Sequence, residues 1–235
     1  MEAIITKVRQ ALVANADENT RIGSQRYFKE QITVHGVKAA IVQNIAKELY
    51  SEVKYMPKQE IFVVCEKLWQ SDFLEESFVA CNWSEKLTKQ FEKGDFEIFE
   101  QWIKNYVNNW ASCDTLCNHT VGNFVMKFPE FISKLKEFAH SENRWAKRAA
   151  AVSLIIPARK GLFLNDIFEI ADILLIDSDD LVQKGYGWML KAASQAHQQA
   201  VFEYVMSKKA VMPRTALRYA IEKMPEGLKK QAMQK

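Results

Sequence analysis

Trp110-Ala111-Ser112-Cys113-Asp114 sets an indole and a carboxylate one helical turn apart. Two further stretches share its character: Arg144-Trp145-Ala146-Lys147-Arg148, and Gly185-Tyr186-Gly187-Trp188, the latter flanked by Lys184 and Lys191. Between them they offer a carboxylate (Asp114), two indoles (Trp110 and Trp188) and a cluster of cations. That set suits the stabilisation of a developing positive charge beside a polyanion.

Each residue also has a plainer reading. On sequence alone the commoner reading of Asp114 is a cap or salt-bridged acid, and of Trp110 a residue at the edge of a core. Arg144 and Arg148, one turn apart, can bind successive phosphates bidentately or form a solvated flank paired with acids. Gly185 and Gly187 each cost roughly 1 kcal/mol relative to alanine inside a helix. Either a neighbouring helix approaches closely there or a ligand backbone does.

The elements that must position these residues read as helices throughout. Eight glycines, five prolines, no Asn-Gly or Asp-Gly turn and little alternation argue against a sheet. Helices are expected over 2–15, 20–31, 36–50, 57–70, 72–82, 84–92, 95–108, 111–127, 129–140, 142–157, 165–176, 179–194, 198–207, 213–224 and 226–234. Ser71-Asp72, Asp95, Pro129, Ser141-Glu142, Asp179-Asp180 and Pro213 mark starts, where caps and prolines suit unsatisfied amides. Cys113, Leu116, Cys117, Thr120 and Phe124 form one core stripe, and Trp145, Ala149, Val152 and Ile156 another.

Short links make neighbouring helices antiparallel hairpins. Residues 141–152 align with 178–189, and 214–221 echoes both, at offsets of 37 and about 30 residues typical of helical-repeat units. The expected architecture is therefore an all-α chain, a right-handed α-solenoid of stacked hairpins. No linker-like composition interrupts residues 1–235, which read as a single domain.

At 235 residues the chain buries a core without metals or disulfides. Cys65, Cys81, Cys113 and Cys117 lack the spacing of a disulfide framework or zinc ribbon, and Cys113, Cys117 and His119 have no second ligand pair nearby, so neither metal nor cofactor is expected. With no membrane-length apolar run and an acid at Glu2, a cytoplasmic protein is expected. Overall charge is +3, but residues 208–235 carry eight cations against Glu222 and Glu226, a net +6 that leaves the remainder at −3. Arg144, Lys147, Arg148, Arg159 and Lys160 form a second basic cluster with only Glu142 nearby in sequence, while Asp72, Glu75, Glu76, Glu85, Glu92, Asp95, Glu97 and Glu100 make the middle acidic. Such asymmetry suits one face for a polyanion and another for solvent, or mixed solvated surfaces.

Four motifs in order, Arg26-Tyr27-Phe28-Lys29 with His35-Gly36-Val37, Trp110 to Asp114, Asn143 to Ala150, and Gly187-Trp188, resemble the bacterial DNA alkylation repair family of HEAT-like-repeat glycosylases. The resemblance spans most of the chain. It implies a C-shaped solenoid with a concave basic groove, which holds duplex DNA and excises cationic bases such as N3-methyladenine and N7-methylguanine. Asp114 would stabilise charge on the sugar and position water, Trp110 and Trp188 would pack against the deoxyribose, Arg148 would hold the backbone near the lesion, and Tyr27 would line the cleft. In this family the base need not enter a pocket, unlike most glycosylases. Arg144, Lys147, Lys184 and Lys191 are the further DNA-binding candidates.

The chain departs from the family pattern at three places. Lys191 stands where excising members usually carry arginine, losing the bidentate fork. The run Ala149–Ile156 is apolar where a lysine can occur, and Ala111-Ser112-Cys113 is a smaller spacer than the common one. Two other readings stand beside excision: a solenoid that binds damaged or branched DNA without cutting it, and a scaffold for a protein partner. No exposed heptad seam appears, so a monomer is expected.

Overall fold

The computed structural model describes residues 1–234; Lys235, counted above in the basic tail, lies outside the described residues. Among the described residues there is no strand, only an isolated bridge between Thr33 and Phe73. By internal contacts the chain divides into two compact units, one ending at Leu116 and one beginning at Cys117.

The first unit contains α1 (Glu2–Ala14), α2 (Glu18–Gln25), α3 (Ala39–Val53), α4 (Lys58–Trp69), α5 (Leu74–Lys86), α6 (Asp95–Asn105) and α7 (Trp110–Thr115). Here α3 packs between α1 and α5, and α5 also packs on α4 and α7. Apolar residues at three- and four-residue spacing account for this, Ile61, Val64, Cys65 and Leu68 of α4 being buried together.

Beyond Leu116 come α8 (Gly122–Lys127), α9 (Ile132–Ala139), α10 (Arg144–Val152), α11 (Ile155–Arg159), α12 (Leu164–Ile173), α13 (Asp180–Ala193), α14 (Gln198–Lys208), α15 (Arg214–Ile221) and α16 (Glu226–Met233). The three segments of the degenerate repeat become α10, α13 and α15, and they pack in that order, α13 touching both of the others. The α-solenoid class read from the sequence is thus the arrangement found: helical hairpins stacked side by side.

Four elements differ from expectation, each for a local reason. The helix expected over 20–31 stops at Gln25, whose side-chain amide turns to the chain beyond it, donating to the Glu30 carbonyl at 2.8 Å and accepting from the Ile32 amide at 3.2 Å. No separate helix covers 84–92, because α5 continues to Lys86 and ends in a 3₁₀ turn, Thr88–Gln90. The helix expected over 111–127 contains a π-helical stretch, Leu116–Val121, and the stripe from Cys113 to Phe124 remains buried throughout. The 142–157 helix breaks after Val152, since Pro157 has no amide hydrogen for the Ser153 carbonyl four residues earlier and its ring crowds that carbonyl. The break shifts the buried register, so Ile155 is fully buried in place of Ile156.

Starts also moved, by up to three residues. Asn143 rather than Ser141-Glu142 caps α10, accepting from the Trp145 amide at 2.8 Å, and Asp179 caps α13 as expected, accepting from the Leu181 amide at 2.8 Å. Asp72 does not cap α5; it adopts a left-handed φ of 64° one residue before the N-cap, Phe73.

The two glycines of α13 have different causes. A Cβ on Gly187 would lie 2.7 Å from the Tyr219 Cβ and 2.9 Å from the Ala216 carbonyl oxygen, so close approach of α15 requires glycine there. A Cβ on Gly185 would meet the Arg148 side chain at an ordinary 3.5 Å. Gly187→Ala should therefore destabilise the protein by about 1–3 kcal/mol through overpacking. Gly185→Ala should stay within about 1 kcal/mol of wild type, on the stabilising side. Thermal unfolding of the two variants checks this, and equal shifts would refute it.

Candidate functional site

In the first unit, α7 is built around its own cap. Asn109, buried, accepts from the Ser112 amide at 2.9 Å, and Cys113 buries inward from the next turn. Trp110 and Asp114 consequently lie one turn apart on the side left partly open, both half-buried. The Trp110 indole N–H donates to the Tyr27 carbonyl at 3.2 Å, and the Phe28 ring stacks on the indole with centroids 5.3 Å apart and planes 20° from parallel. One indole face is thus occupied. Tyr27 itself points outward, 77% exposed.

The chain that brings Tyr27 and Phe28 to Trp110 is held by acids the sequence reading placed on a solvated face. Glu75 is 3% exposed and Glu76 1% exposed, both in the first turn of α5. Glu75 accepts from the amides of His35, Gly36 and Val37 at 2.9, 2.8 and 3.0 Å. Glu76 meets Arg9 at 3.1 Å and His35 at 3.2 Å, and His35 stacks on Phe73. Burial pushes the Glu76 carboxyl up, but hydrogen bonds from His35, Ser71 and Arg9 outweigh it and hold it below the usual carboxylate range. Asp72 joins the same loop to the approach to α7, accepting from the Thr33 hydroxyl at 3.2 Å and from the Asn108 amide at 2.6 Å. A groove of about 700 Å³ beside this loop, lined by Arg21, Ile22, Gln25, Ile32 and Phe73 among others, takes in none of the candidate residues.

In the second unit the cations do not form a bare patch. Arg144 is paired with Asp179, its Nε 2.6 Å and Nη2 3.0 Å from the two carboxylate oxygens, and it lies over the Trp145 ring at 5.0 Å. Lys147 is 2.8 Å from Asp177, whose hydrogen bond raises the lysine ammonium above its ordinary range. Lys184 pairs with Asp180 at 3.0 Å, and Lys191 with Glu222 at 2.8 Å beside the Tyr219 ring. Sequence proximity had offered only Glu142 as a local counter-charge. The link between α12 and α13 supplies Asp177 and Asp179 instead, because stacked hairpins bring residues 30 to 35 apart into contact.

Arg148 does not share the exposed flank with Arg144. It is 5% exposed, its Nη1 donates to the Leu181 carbonyl, and its stem lies against Gly185. Trp188 and Lys184 stay half-buried on α13, while Gly185, Tyr186 and Gly187 face inward. Conversely, Arg214 and Arg218, one turn apart on α15 and exposed, have no carboxylate partner among the described residues. Their repeat counterparts are Arg144 and Arg148, so that alignment was the signal for them.

The structure therefore brings Trp110, Asp114, Tyr27 and Phe28 together in one unit, and Arg144, Lys147, Arg148, Lys184, Trp188 and Lys191 onto the α10 and α13 pair in the other. Among the described residues no group of three or more His, Cys, Asp or Glu side chains is placed to hold a metal ion, and no helix is long and apolar enough to cross a membrane.

The model of the DNA alkylation repair enzyme family matches residues 8–224, nearly the whole chain. The chain belongs to that family. A solved structure described as a predicted DNA alkylation repair enzyme from Enterococcus faecalis is similar in fold, with a TM-score of 0.80 and 21% identity over 90% of this chain and 98% of the other. No curated protein matches. For a DNA alkylation repair family member, DNA is the partner, and the ion pairs bear on how strongly it is held. A phosphate near α10 must compete with Asp177 and Asp179 for Arg144 and Lys147. Replacing both acids with asparagine, which keeps the cap on α13, should tighten duplex binding several-fold at moderate salt and steepen the salt dependence by about one to two phosphate contacts. Unchanged affinity and slope in a filter-binding titration would place this flank off the DNA.

Proposed function

We propose that this DNA alkylation repair family member is a DNA glycosylase that hydrolyses the N-glycosidic bond of cationic alkylated purines, N3-methyladenine and N7-methylguanine, in duplex DNA. The supporting observation is the pairing on α7 of a half-buried carboxylate, Asp114, with an indole, Trp110, whose ring is fixed by a hydrogen bond and a stacking partner. In the first step the bond between C1′ and the purine nitrogen breaks and its electron pair goes to the base. The base was a cation, so it leaves neutral, and no general acid is required.

What needs help is the positive charge left on the sugar. The Asp114 carboxylate stabilises it and orients water for addition to C1′, taking or relaying the proton that water loses. One carboxylate suffices, in contrast to the paired carboxylates of glycoside hydrolases. Trp110 contributes the attraction of an indole face for a cation. Trp188 is assigned to the deoxyribose as well, and Arg144, Lys147, Lys184 and Lys191 to the phosphates. Because the leaving group is activated by its own alkylation, the reaction calls on no metal or cofactor. Arg148 is assigned a different part from the one the resemblance implies: buried against Gly185 and bonded to Leu181, it braces the α10 and α13 joint that presents Trp188 and Lys184. A cytoplasmic, nucleoid-associated monomer accords with this reading.

Asp114→Asn keeps the side-chain shape and removes the charge. Single-turnover release of N7-methylguanine from methylated duplex should fall by on the order of a hundredfold or more, with duplex affinity nearly unchanged. Release by the variant at near wild-type rate would sink the mechanism. Binding without release by either protein would instead support a non-cutting DNA binder.

A further inference from the structure

The first turn of α5 and the loop it holds have no place in the chemistry above, yet that loop carries Tyr27 and Phe28 to Trp110. Three acids within five residues each take a different part of the 26–38 segment. Glu75 receives three consecutive backbone amides, Glu76 receives His35, and Asp72 receives Thr33. The Leu74 amide donates back to the Thr33 carbonyl at 2.9 Å, so the loop also closes the start of the helix. Gly36 is obligatory at its place: its φ is 91°, and a Cβ there would lie 2.7 Å from the Asp17 carbonyl oxygen. The loop is therefore held at its far end by hydrogen bonds to buried carboxylates, and its near end delivers Phe28 and the Tyr27 carbonyl to the indole. From the other side Asp72 holds Asn108, next to the Asn109 cap of α7.

We propose that Glu75 and Phe28 are positioning residues for excision: Glu75 docks the 26–38 loop on α5, and Phe28, carried by that loop, covers one face of Trp110 and leaves the opposite face for the deoxyribose. This rests on the glycosylase reading for its consequence but on contacts within the first unit for its geometry. An aromatic stack adds about 0.5–1.5 kcal/mol beyond area burial. Together with the hydrogen bond to the Tyr27 carbonyl it sets both the plane and the rotation of the indole. A tryptophan without them would retain its apolar area and lose its orientation, so binding should survive where turnover does not.

The test uses the full chain labelled with ¹⁵N-tryptophan, the Trp110 indole signal being assigned by its loss in Trp110→Phe. Phe28→Leu keeps the volume and removes the ring. It should move the Trp110 indole N–H resonance, speed its exchange with solvent, and slow single-turnover release of N7-methylguanine about tenfold, with duplex Kd within about twofold of wild type. Phe28→Tyr should restore both signal and rate, which a merely space-filling role would not distinguish from leucine. Glu75→Gln should act in the same direction as Phe28→Leu. An indole signal unmoved by Phe28→Leu, or a rate and affinity that fall together without rescue by tyrosine, would overturn the proposal. Should wild type release no base, the glycosylase reading fails, and the positioning claim is then decided by the indole signal alone: movement supports it and constancy overturns it.

Discussion

A carboxylate removed from water must find partners or lose its charge, and at the start of α5 two adjacent ones are almost wholly buried. Apart from Arg9 of α1, these partners do not lie on a neighbouring helix face. They are three backbone amides, a histidine and an arginine, the amides and histidine drawn from a loop that lacks regular hydrogen bonding of its own. The demand of the acids and the demand of the loop's amides meet each other. The consequence is an irregular segment with a fixed position, and that segment reaches the one indole that shares a helix face with Asp114.

The second unit answers a different constraint. Helices α13 and α15 approach so closely that only glycine fits at 187, and the same helix gives up a side chain at 185 beside the buried Arg148. Stacking of α13 on α10 places the acidic link before α13 against the basic first turn of α10. The resulting ion pairs are partly exposed, so each contributes little to stability. Their larger effect is on charge: cations that would otherwise present an open field to a polyanion are held in neutral pairs, while Arg214 and Arg218 have no carboxylate partner among the described residues.

Much of this was legible in the residues. The helical character, the stripe from Cys113 to Phe124, the Asp179 cap and the correspondence of α10, α13 and α15 follow from periodicity and capping chemistry, which are local. The close approach at Gly187 was legible as one of two alternatives, and Gly185 only partly, since its space is taken by an arginine expected at the surface. The break at Ser153 was legible too, since Pro157 forbids the bond it would need, but the mostly apolar run around it concealed it. What the residues did not disclose was pairing across long separations. Glu75 and Glu76 look like solvated acids until His35 to Val37 are brought over them, and Arg144 and Lys147 look like a bare patch until Asp177 and Asp179 arrive. Phe28 stood within a recognised motif, yet nothing in its spacing from Trp110, over eighty residues on, announces a stack.

In the proposed reaction, excision relies on stabilising the sugar's positive charge, without protonation of the leaving base. The most direct measurement compares single-turnover release of N7-methylguanine and of a neutral lesion, hypoxanthine, from otherwise identical duplexes bound with similar affinity. Rapid release of the cationic base and essentially none of the neutral one is the expected result. Comparable rates for the two would contradict it, because a neutral purine leaves readily only where a general acid protonates it.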